Sequence, residues 1–513
     1  MKKYNSLLYL LALLKFALPF FIQSSYYEPH RDELLYLAEG QHMAWGFMEI
    51  PPLLSVFAWL THLFGNGFFW IKFWPSLFGA LNYIVTGKII LSLGGKYYAL
   101  FLAFLPFIFS GYLRVHYLFQ PNFLEIFFWS MIAYGIIRYI QTKKNYWLYV
   151  TGISAGLGMM SKYSVLFFIV SAIAGLLLTP QRKIFANKHL YFAAIIGFLI
   201  FLPNVVWQYN RNFAVLHHMQ ELQRTQLQYV NPINFIVDQF LMFLPCVFVW
   251  VAGLWFAAFS PNGKKFRFIA WAYIFVVGAL LYLHGKSYYA LGIYPTLIAF
   301  GAYQLECATA KRFNLLRYVM GLLPFIATRV MIPIVLPVFK PEKLAAFYTK
   351  TPAAKTGALR WEDQENHPLP QDFSDMLGWE EMAQKVSAAY NMLSPTEKQH
   401  TIIFCDNYGQ AGAVAFYAKK YGIPQPYSTN ASFLYWMPDS IHVENFILLT
   451  DDSTDMQKPF VKQFAYAKLT DSITTPYARE RGDLVILLKG ADANFNQFFK
   501  EKIETARAPF LKR

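Results

Sequence analysis

Apolar stretches, each close to the roughly 20 residues that carry a helix through a bilayer core, fill the first two-thirds of this 513-residue chain. Eleven are predicted, over 5–23, 68–90, 97–113, 120–140, 146–161, 163–179, 189–207, 235–258, 267–283, 288–306 and 317–338. Lipid offers no partner to a free backbone N–H or C=O, so such segments must be helices packed on one another. The Pro and Gly inside several of them are tolerable where neighbouring helices satisfy the freed groups. The first stretch is too long, and too weakly flanked by a cleavage site, for a signal peptide. Charged residues make up only 15% of the chain, against about 25% in soluble domains. With 3 Cys and 56% hydrophobic residues, this excludes a disordered chain, a disulfide scaffold and an ordinary cytosolic enzyme.

The net charge of +15 suggests nucleic acid until it is located. Residues 1–339 hold 25 Lys+Arg and 9 Asp+Glu, whereas residues 340–513 hold 20 and 21. The basic excess therefore belongs to membrane loops, and no nucleic-acid partner is expected. With the N-terminus placed in the cytoplasm, 16 of the 25 basic residues fall on that side, among them Lys88, Lys96, Arg138, Lys311 and Arg312, as the positive-inside rule requires. Arg31, Arg114, Lys162, Arg211, Arg224 and Lys286 fall on the other. An odd number of spans then puts residues 340–513 outside. The expected fold is mainly α: a polytopic transmembrane bundle over 1–339, with a first external loop at 24–67, followed by a soluble extracytoplasmic α/β domain over 340–513. In that domain 401–406, 445–451 and 483–489 read as strands alternating with helices. Asn407-Tyr408-Gly409-Gln410 reads as an anion or sugar site at a helix start or, more simply, as a βα turn. Segment 350–375 reads as irregular.

Five of the nine acids in the membrane part (Glu28, Asp32, Glu33, Glu39 and Glu49) lie within 22 residues of the first external loop. Ionisable groups at a bilayer are costly, so their concentration points to a site. Pro29 suits a helix start, and Arg31 to Trp45 reads as an amphipathic helix lying in the membrane interface. Spacings of four and three put Asp32, Tyr36 and Glu39 on one face. The plainer reading is that these acids only solvate a surface helix, and it suits Glu28 and Glu39 best. Lys162, in a very short turn between two spans, and Lys286, at a span end, are external cations within reach of a lipid phosphate. The plainer reading of both, and of Arg211, is snorkelling to headgroups. External chemistry has no nucleotide sugar available, so an activated group must arrive on a lipid.

The Asp32-Glu33 pair, the Pro-Pro after Glu49, Gly-Leu-Gly-Met-Met-Ser-Lys-Tyr-Ser (156–164), Leu-Pro-Asn-Val-Val-Trp-Gln-Tyr (202–209) and Gly-Lys-Ser-Tyr-Tyr-Ala-Leu-Gly-Ile-Tyr-Pro (285–295) resemble bacterial members of glycosyltransferase family 39. These are GT-C enzymes that include the protein O-mannosyltransferases and lipid A aminoarabinose transferases. The resemblance implies an enzyme of the bacterial plasma membrane that transfers a sugar, with inversion, from a polyprenyl-phosphate donor to a lipid, glycan or protein acceptor. The family's catalytic acid maps onto Asp32 and the adjacent acid onto Glu33. Glu49 looks like an acid that contributes to a metal site in the aminoarabinose transferases, but Ile50 stands where those enzymes carry a basic residue. A divalent metal therefore stays open. On this reading Asp32 is the base, Glu33 or Glu49 orients it, Lys162, Lys286 and Arg211 meet the lipid phosphate, and Tyr36, Tyr288 and Tyr289 contact the sugar. The competing classes are a transporter or flippase with an external accessory domain, and a non-enzymatic receptor. The external clustering of carboxylates favours surface chemistry over both.

Overall fold

A computed structural model of the chain describes residues 2–310, 314–351, 357–439 and 441–511. Lys311 and Arg312 of the basic-loop argument, and 352–356 of the segment expected to be irregular, lie outside the described residues. Helices occupy every predicted span: α1 (Lys2–Ile22), then after the short α2 (Arg31–Gln41) and α3 (Leu53–Leu63) come α4 (Phe68–Leu93) and α5 (Tyr97–Phe109). Asn122–Thr142, Tyr146–Met159, Val165–Leu177, Lys188–Asn210, Val247–Phe259, Arg267–Tyr282, Tyr294–Thr309 and Asn314–Val335 follow. Six are long and apolar enough to cross a membrane alone, and two more pairs qualify if each bent pair is one span. One of these is Pro232–Leu241 with Leu244–Phe259, bent by 62°, where Pro245 cannot supply a helical N–H. Others are short for a bilayer. The 13 residues of α5 rise only about 20 Å at ~1.5 Å each, and most of its side chains are buried among other helices. The chain is a multi-pass membrane protein.

Small residues let the helices close on one another. A Cβ on Gly301 would lie 1.7 Å from the Val249 carbonyl oxygen, and one on Gly253 1.8 Å from that of Leu297. Val247–Phe259 and Tyr294–Thr309 thus meet backbone to backbone, and a side chain at either glycine would force them apart.

Beyond the bundle lies a four-stranded sheet of order β1-β2-β4-β3, made of β1 (Thr401–Cys405), β2 (Asn445–Thr450), β3 (Phe464–Ser472) and β4 (Leu484–Ala491). The β1–β2 pair is parallel and the other two pairs are antiparallel. The three predicted strands are present. The fourth, β3, escaped because it is an edge strand whose residues are mostly exposed and whose Lys468 and Asp471 break any apolar run, as edges often do.

The one marked departure from expectation is α2. Its apolar residues are covered by protein rather than left open to lipid. Leu34, Leu35 and Ala38 pack into the soluble domain's core with Trp379, Met382 and Val414, while Leu37 packs with Phe47, Ile50 and Phe119. The helix is therefore covered on both sides, and it ends at Gln41 rather than Trp45. Its polar residues are buried too, which a periodicity argument cannot reveal.

Candidate active site

The start of α2 is built by a reciprocal cap. Asp32 N–H donates to His30 Nδ1 (3.1 Å), and His30 N–H donates to Glu33 Oε2 (2.8 Å). Glu33 is fully buried and spends its remaining capacity on Lys72 Nζ (2.6 and 2.7 Å) and the Phe119 N–H (2.6 Å). Its carboxylate has no exposed face, and Glu33 stands as the anchor of this segment rather than a group open to substrate.

Asp32, one residue earlier, is half-buried. Its Oδ2 accepts from Gln120 Nε2 (3.0 Å) and its Oδ1 from the Tyr408 hydroxyl (2.8 Å). Gln120 Oε1 accepts from Asn122 Nδ2 (3.3 Å), and Asn122 Oδ1 accepts from Lys162 Nζ (2.5 Å). A continuous polar relay thus joins the acid to the cation. Lys162 also pairs with buried Glu125 (3.0 Å) and lies over the rings of Tyr289 (4.5 Å) and Tyr288 (5.6 Å). Burial first, and the Asp32 carboxylate second, hold the Tyr36 phenol protonated. Lys286 donates to the neutral Gln226 Oε1 (2.6 Å) and makes no close ion pair among the described residues, although its charge reaches the Asp372 carboxylate. Arg211 is not brought to Asp32. It stacks on Tyr435 (4.9 Å) and Trp207 (5.8 Å) at the margin of the soluble domain.

Gln120 and Glu125 are site residues that local sequence patterns did not single out, and Tyr408 was singled out only as part of its turn. Tyr408 belongs to the Asn407–Gln410 turn. Asn407 Oδ1 accepts from the Gly409 and Gln410 N–H groups, so this is a βα turn that satisfies itself, not an open anion site. Its glycines serve contact. A Cβ on Gly409 would meet Arg31 Nε at 2.4 Å, and one on Gly412 would meet Leu34 Cβ at 2.9 Å. That approach lets helix Tyr408–Tyr421 press on α2 and deliver the Tyr408 hydroxyl, while Arg31 stacks on its ring (4.4 Å).

Of the other acids, Glu39 is fully buried, and Glu28 and Glu49 are partly buried. Glu28 accepts the Trp379 and Glu380 N–H groups (2.8 and 2.7 Å), capping helix Trp379–Asn391. Glu49 accepts from the Ser432 N–H (2.9 Å) and hydroxyl (2.5 Å) of the soluble domain. Neither Glu28 nor Glu39 solvates a surface. Burial first, and Glu49 second, hold the Glu39 carboxyl well above the usual carboxylate range. A neutral carboxyl is mimicked by an amide, so Glu39→Gln is expected to change Tm and turnover by less than twofold equivalents, read by thermal unfolding and initial rates. A large loss restored by added divalent cation would instead identify Glu39 and Glu49 as metal ligands. Among the described residues, the His/carboxylate group whose ligand atoms all lie within 4.8 Å of one another, as a metal ion would need, is Asp363, Glu365 and His367, elsewhere in the soluble domain.

The seam between α2 and the soluble domain is charged. His30 Nε2 lies 3.7 Å from Asp375 and 3.9 Å from Asp372, and Arg114 pairs with Asp372 (2.7 Å). Burial opposes the His30 charge, but Asp372, Asp32 and Asp375 outweigh it and raise its pKa to about 9. Burial pushes the Asp375 carboxyl up to about 6 against the pull of Arg479. Folded His30 holds its proton to about pH 9 and unfolded His30 only to about 6.5. Its stabilisation is therefore complete below 6.5 and lost as pH rises through 9. Asp375 acts in the same direction at lower pH. Tm is expected to fall between pH 6.5 and 9, by an amount on the order of 3 kcal/mol in stability, and His30→Gln should flatten that slope in a thermal-shift series.

Residues 49–207 match the family of dolichyl-phosphate-mannose-protein mannosyltransferases. The crystal structure of ArnT from Cupriavidus metallidurans bound to undecaprenyl phosphate aligns over 95% of this chain and 98% of its own, with a TM-score of 0.62 at 12% identity. The chain has the GT-C glycosyltransferase fold of the mannosyltransferase and ArnT type. The apo form of the same ArnT aligns with a TM-score of 0.60 at 11% identity, over the same shares of both chains. Among curated proteins, this GT-C chain is 25% identical over 240 residues to the lipid A galacturonosyltransferase RgtD of Rhizobium johnstonii. That match covers 44% of the chain and 48% of RgtD, so the chain matches about half of this relative's length.

Proposed function

We propose that this GT-C chain is a membrane glycosyltransferase that moves a sugar from a polyprenyl-phosphate carrier to a glycolipid acceptor of the lipid A type. Its N-terminus is assigned to the cytoplasm by its basic loops, and its soluble domain to the opposite side. The observation that carries the reading is the relay from Asp32 through Gln120 and Asn122 to Lys162, beside the Tyr288–Tyr289 pair. A base, a cation and aromatic faces are what transfer from a lipid phosphate needs.

In the proposed step, an acceptor oxygen attacks the anomeric carbon while its proton passes to Asp32. The bond from that carbon to the carrier phosphate breaks with inversion, and the polyprenyl phosphate departs with the electron pair. The Tyr408 and Gln120 donors fix the carboxylate so that it need not reorganise. Lys162 is already balanced by Glu125 in a close pair, so Lys286, which makes no close ion pair among the described residues and feels Asp372 only at longer range, is the better partner for the departing phosphate. Lys162 then serves to set the field beside it. Tyr36, Tyr288 and Tyr289 supply hydroxyls and flat faces to the sugar. Glu33 positions Asp32 through the cap and Lys72, and Glu49 and Arg211 belong on the acceptor side, where the soluble domain meets them.

The test is incubation of purified protein with an undecaprenyl-phosphate sugar and lipid A, following released undecaprenyl phosphate and the mass of lipid A. Release coupled to a sugar-sized mass gain supports the reading; vectorial movement of the donor across sealed vesicles with no release overturns it. Tyr408→Phe removes one charged hydrogen bond from Asp32, a loss of about 1.5–3 kcal/mol. It is expected to lower kcat by roughly tenfold or more with donor KM unchanged, as measured by initial rates.

A further inference from the structure

The turn that receives the Arg31 N–H through the Asp375 carbonyl (2.9 Å) also lines, through Ser374, a separate cavity of about 300 Å³ in the soluble domain. Its other walls include Trp361, His367, Leu369, Tyr477 and Arg481. That volume sits at the small end of ligand sites, which run from ~300 to 1,000 Å³. The walls are held in place. Trp361 stacks on His367 (3.6 Å, 13°) and donates its indole N–H to the Leu369 carbonyl (2.8 Å).

One buried group in this cavity lacks a partner, and one cation stands unpaired at its exposed edge. The Ser374 hydroxyl is buried and makes no hydrogen bond, an exception that calls for a partner from outside the chain. Arg481 is the one arginine among the described soluble-domain residues with neither a hydrogen bond nor an ion pair to its side chain. The nearby acids do not neutralise it, because Asp363 is taken by His367 (2.8 Å) and Glu362 by Arg479 (3.3 Å). A buried hydroxyl at the wall, flat aromatic sides and a free planar cation at the edge suit a sugar ring that bears an anionic oxygen group.

We infer that this cleft is a second binding site, for an anionic saccharide: it holds the phosphorylated headgroup of the acceptor while the reacting oxygen reaches Asp32. The inference rests on the glycolipid-acceptor reading above, and its placement follows from the 374–375 turn, which faces the cleft on one residue and anchors α2 on the next. The site takes no part in bond making; it sets acceptor affinity.

The experiment is calorimetric titration of the full-length protein in nanodiscs, without donor, with a de-acylated glucosamine disaccharide bisphosphate. Wild-type protein should bind it, and Arg481→Ala should weaken Kd at least tenfold. Arg481→Lys should restore part of that loss, and Ser374→Ala should weaken Kd severalfold. Lys468→Ala, at an exposed edge-strand cation, should bind as wild type. The dephosphorylated disaccharide should bind at least tenfold more weakly, and inorganic phosphate at equal concentration should not displace the bisphosphate. Equal affinity in wild type and Arg481→Ala, or for the two disaccharides, overturns the site. Displacement by inorganic phosphate overturns its saccharide character. Because no turnover is read, a chain that binds the bisphosphate yet transfers nothing would count against the glycosyltransferase reading alone, and one that transfers with unchanged acceptor KM in Arg481→Ala would count against the cleft alone.

Discussion

Asp32→Asn is expected to lower sugar transfer by about 10³-fold or more while the protein still folds and still binds its donor. General-base catalysis contributes about 10² to 10⁴ in rate, and the amide cannot take the acceptor proton. The geometry is otherwise nearly conserved. One side-chain oxygen remains to accept from Tyr408 or Gln120, and the backbone N–H that donates to His30 is untouched. The fall should therefore appear in kcat, with donor KM, donor Kd and Tm within about twofold or a few degrees of wild type. Turnover near the wild-type rate would remove Asp32 from the chemistry and shift attention to Glu49, the other carboxylate of the loop held at the bundle–domain contact. A collapse in Tm would instead mean that Asp32 acts as a fastener for Tyr408, which Tyr408→Phe would then reproduce.

The membrane helices could be read from the sequence because a lipid-facing segment has to be apolar along its whole length, a local property. The concentration of acids before the second span was legible for the same reason. What those acids touch was not. Glu33 meets Lys72 across 39 residues and Asp32 meets Tyr408 across 376, and no periodicity links such positions. Lys72 was indistinguishable from a snorkelling lysine, because the carboxylate that neutralises it lies on another helix. Glu28 and Glu39 looked solvated because α2 is amphipathic. The soluble domain, docking on Leu34, Leu35 and Ala38 and taking Glu28 as the cap of one of its helices, is what covers this segment. The trace this docking leaves in sequence is the Gly409–Gly412 spacing, which opens one side of a helix to close approach. Taken alone, that spacing also fits an ordinary βα turn, and the turn is indeed what the backbone makes.

The largest stability effect is expected at the Glu33–Lys72 pair. Both side chains are fully buried, and removing one member of such a pair leaves an unpaired charge inside, at about 3–5 kcal/mol. Glu33→Gln leaves the Lys72 ammonium without a counter-charge, with one amide oxygen and the Tyr117 and Phe68 rings, at 4.1 and 5.2 Å, as its neighbours. Lys72→Met strands a carboxylate that still accepts from the His30 and Phe119 N–H groups, so it should be the milder of the two. The double variant Glu33→Gln/Lys72→Met should lose less than the sum of the singles, because a buried pair replaced together by neutral groups is often close to neutral. Unfolding measured for all four proteins in one detergent closes the cycle. A coupling near zero would show that the two charges do not compensate each other. A strong coupling with kcat reduced in the double variant would separate stability from position: the fold tolerates loss of the pair, but Asp32, one residue from Glu33, no longer stands where the relay from Gln120 can hold it.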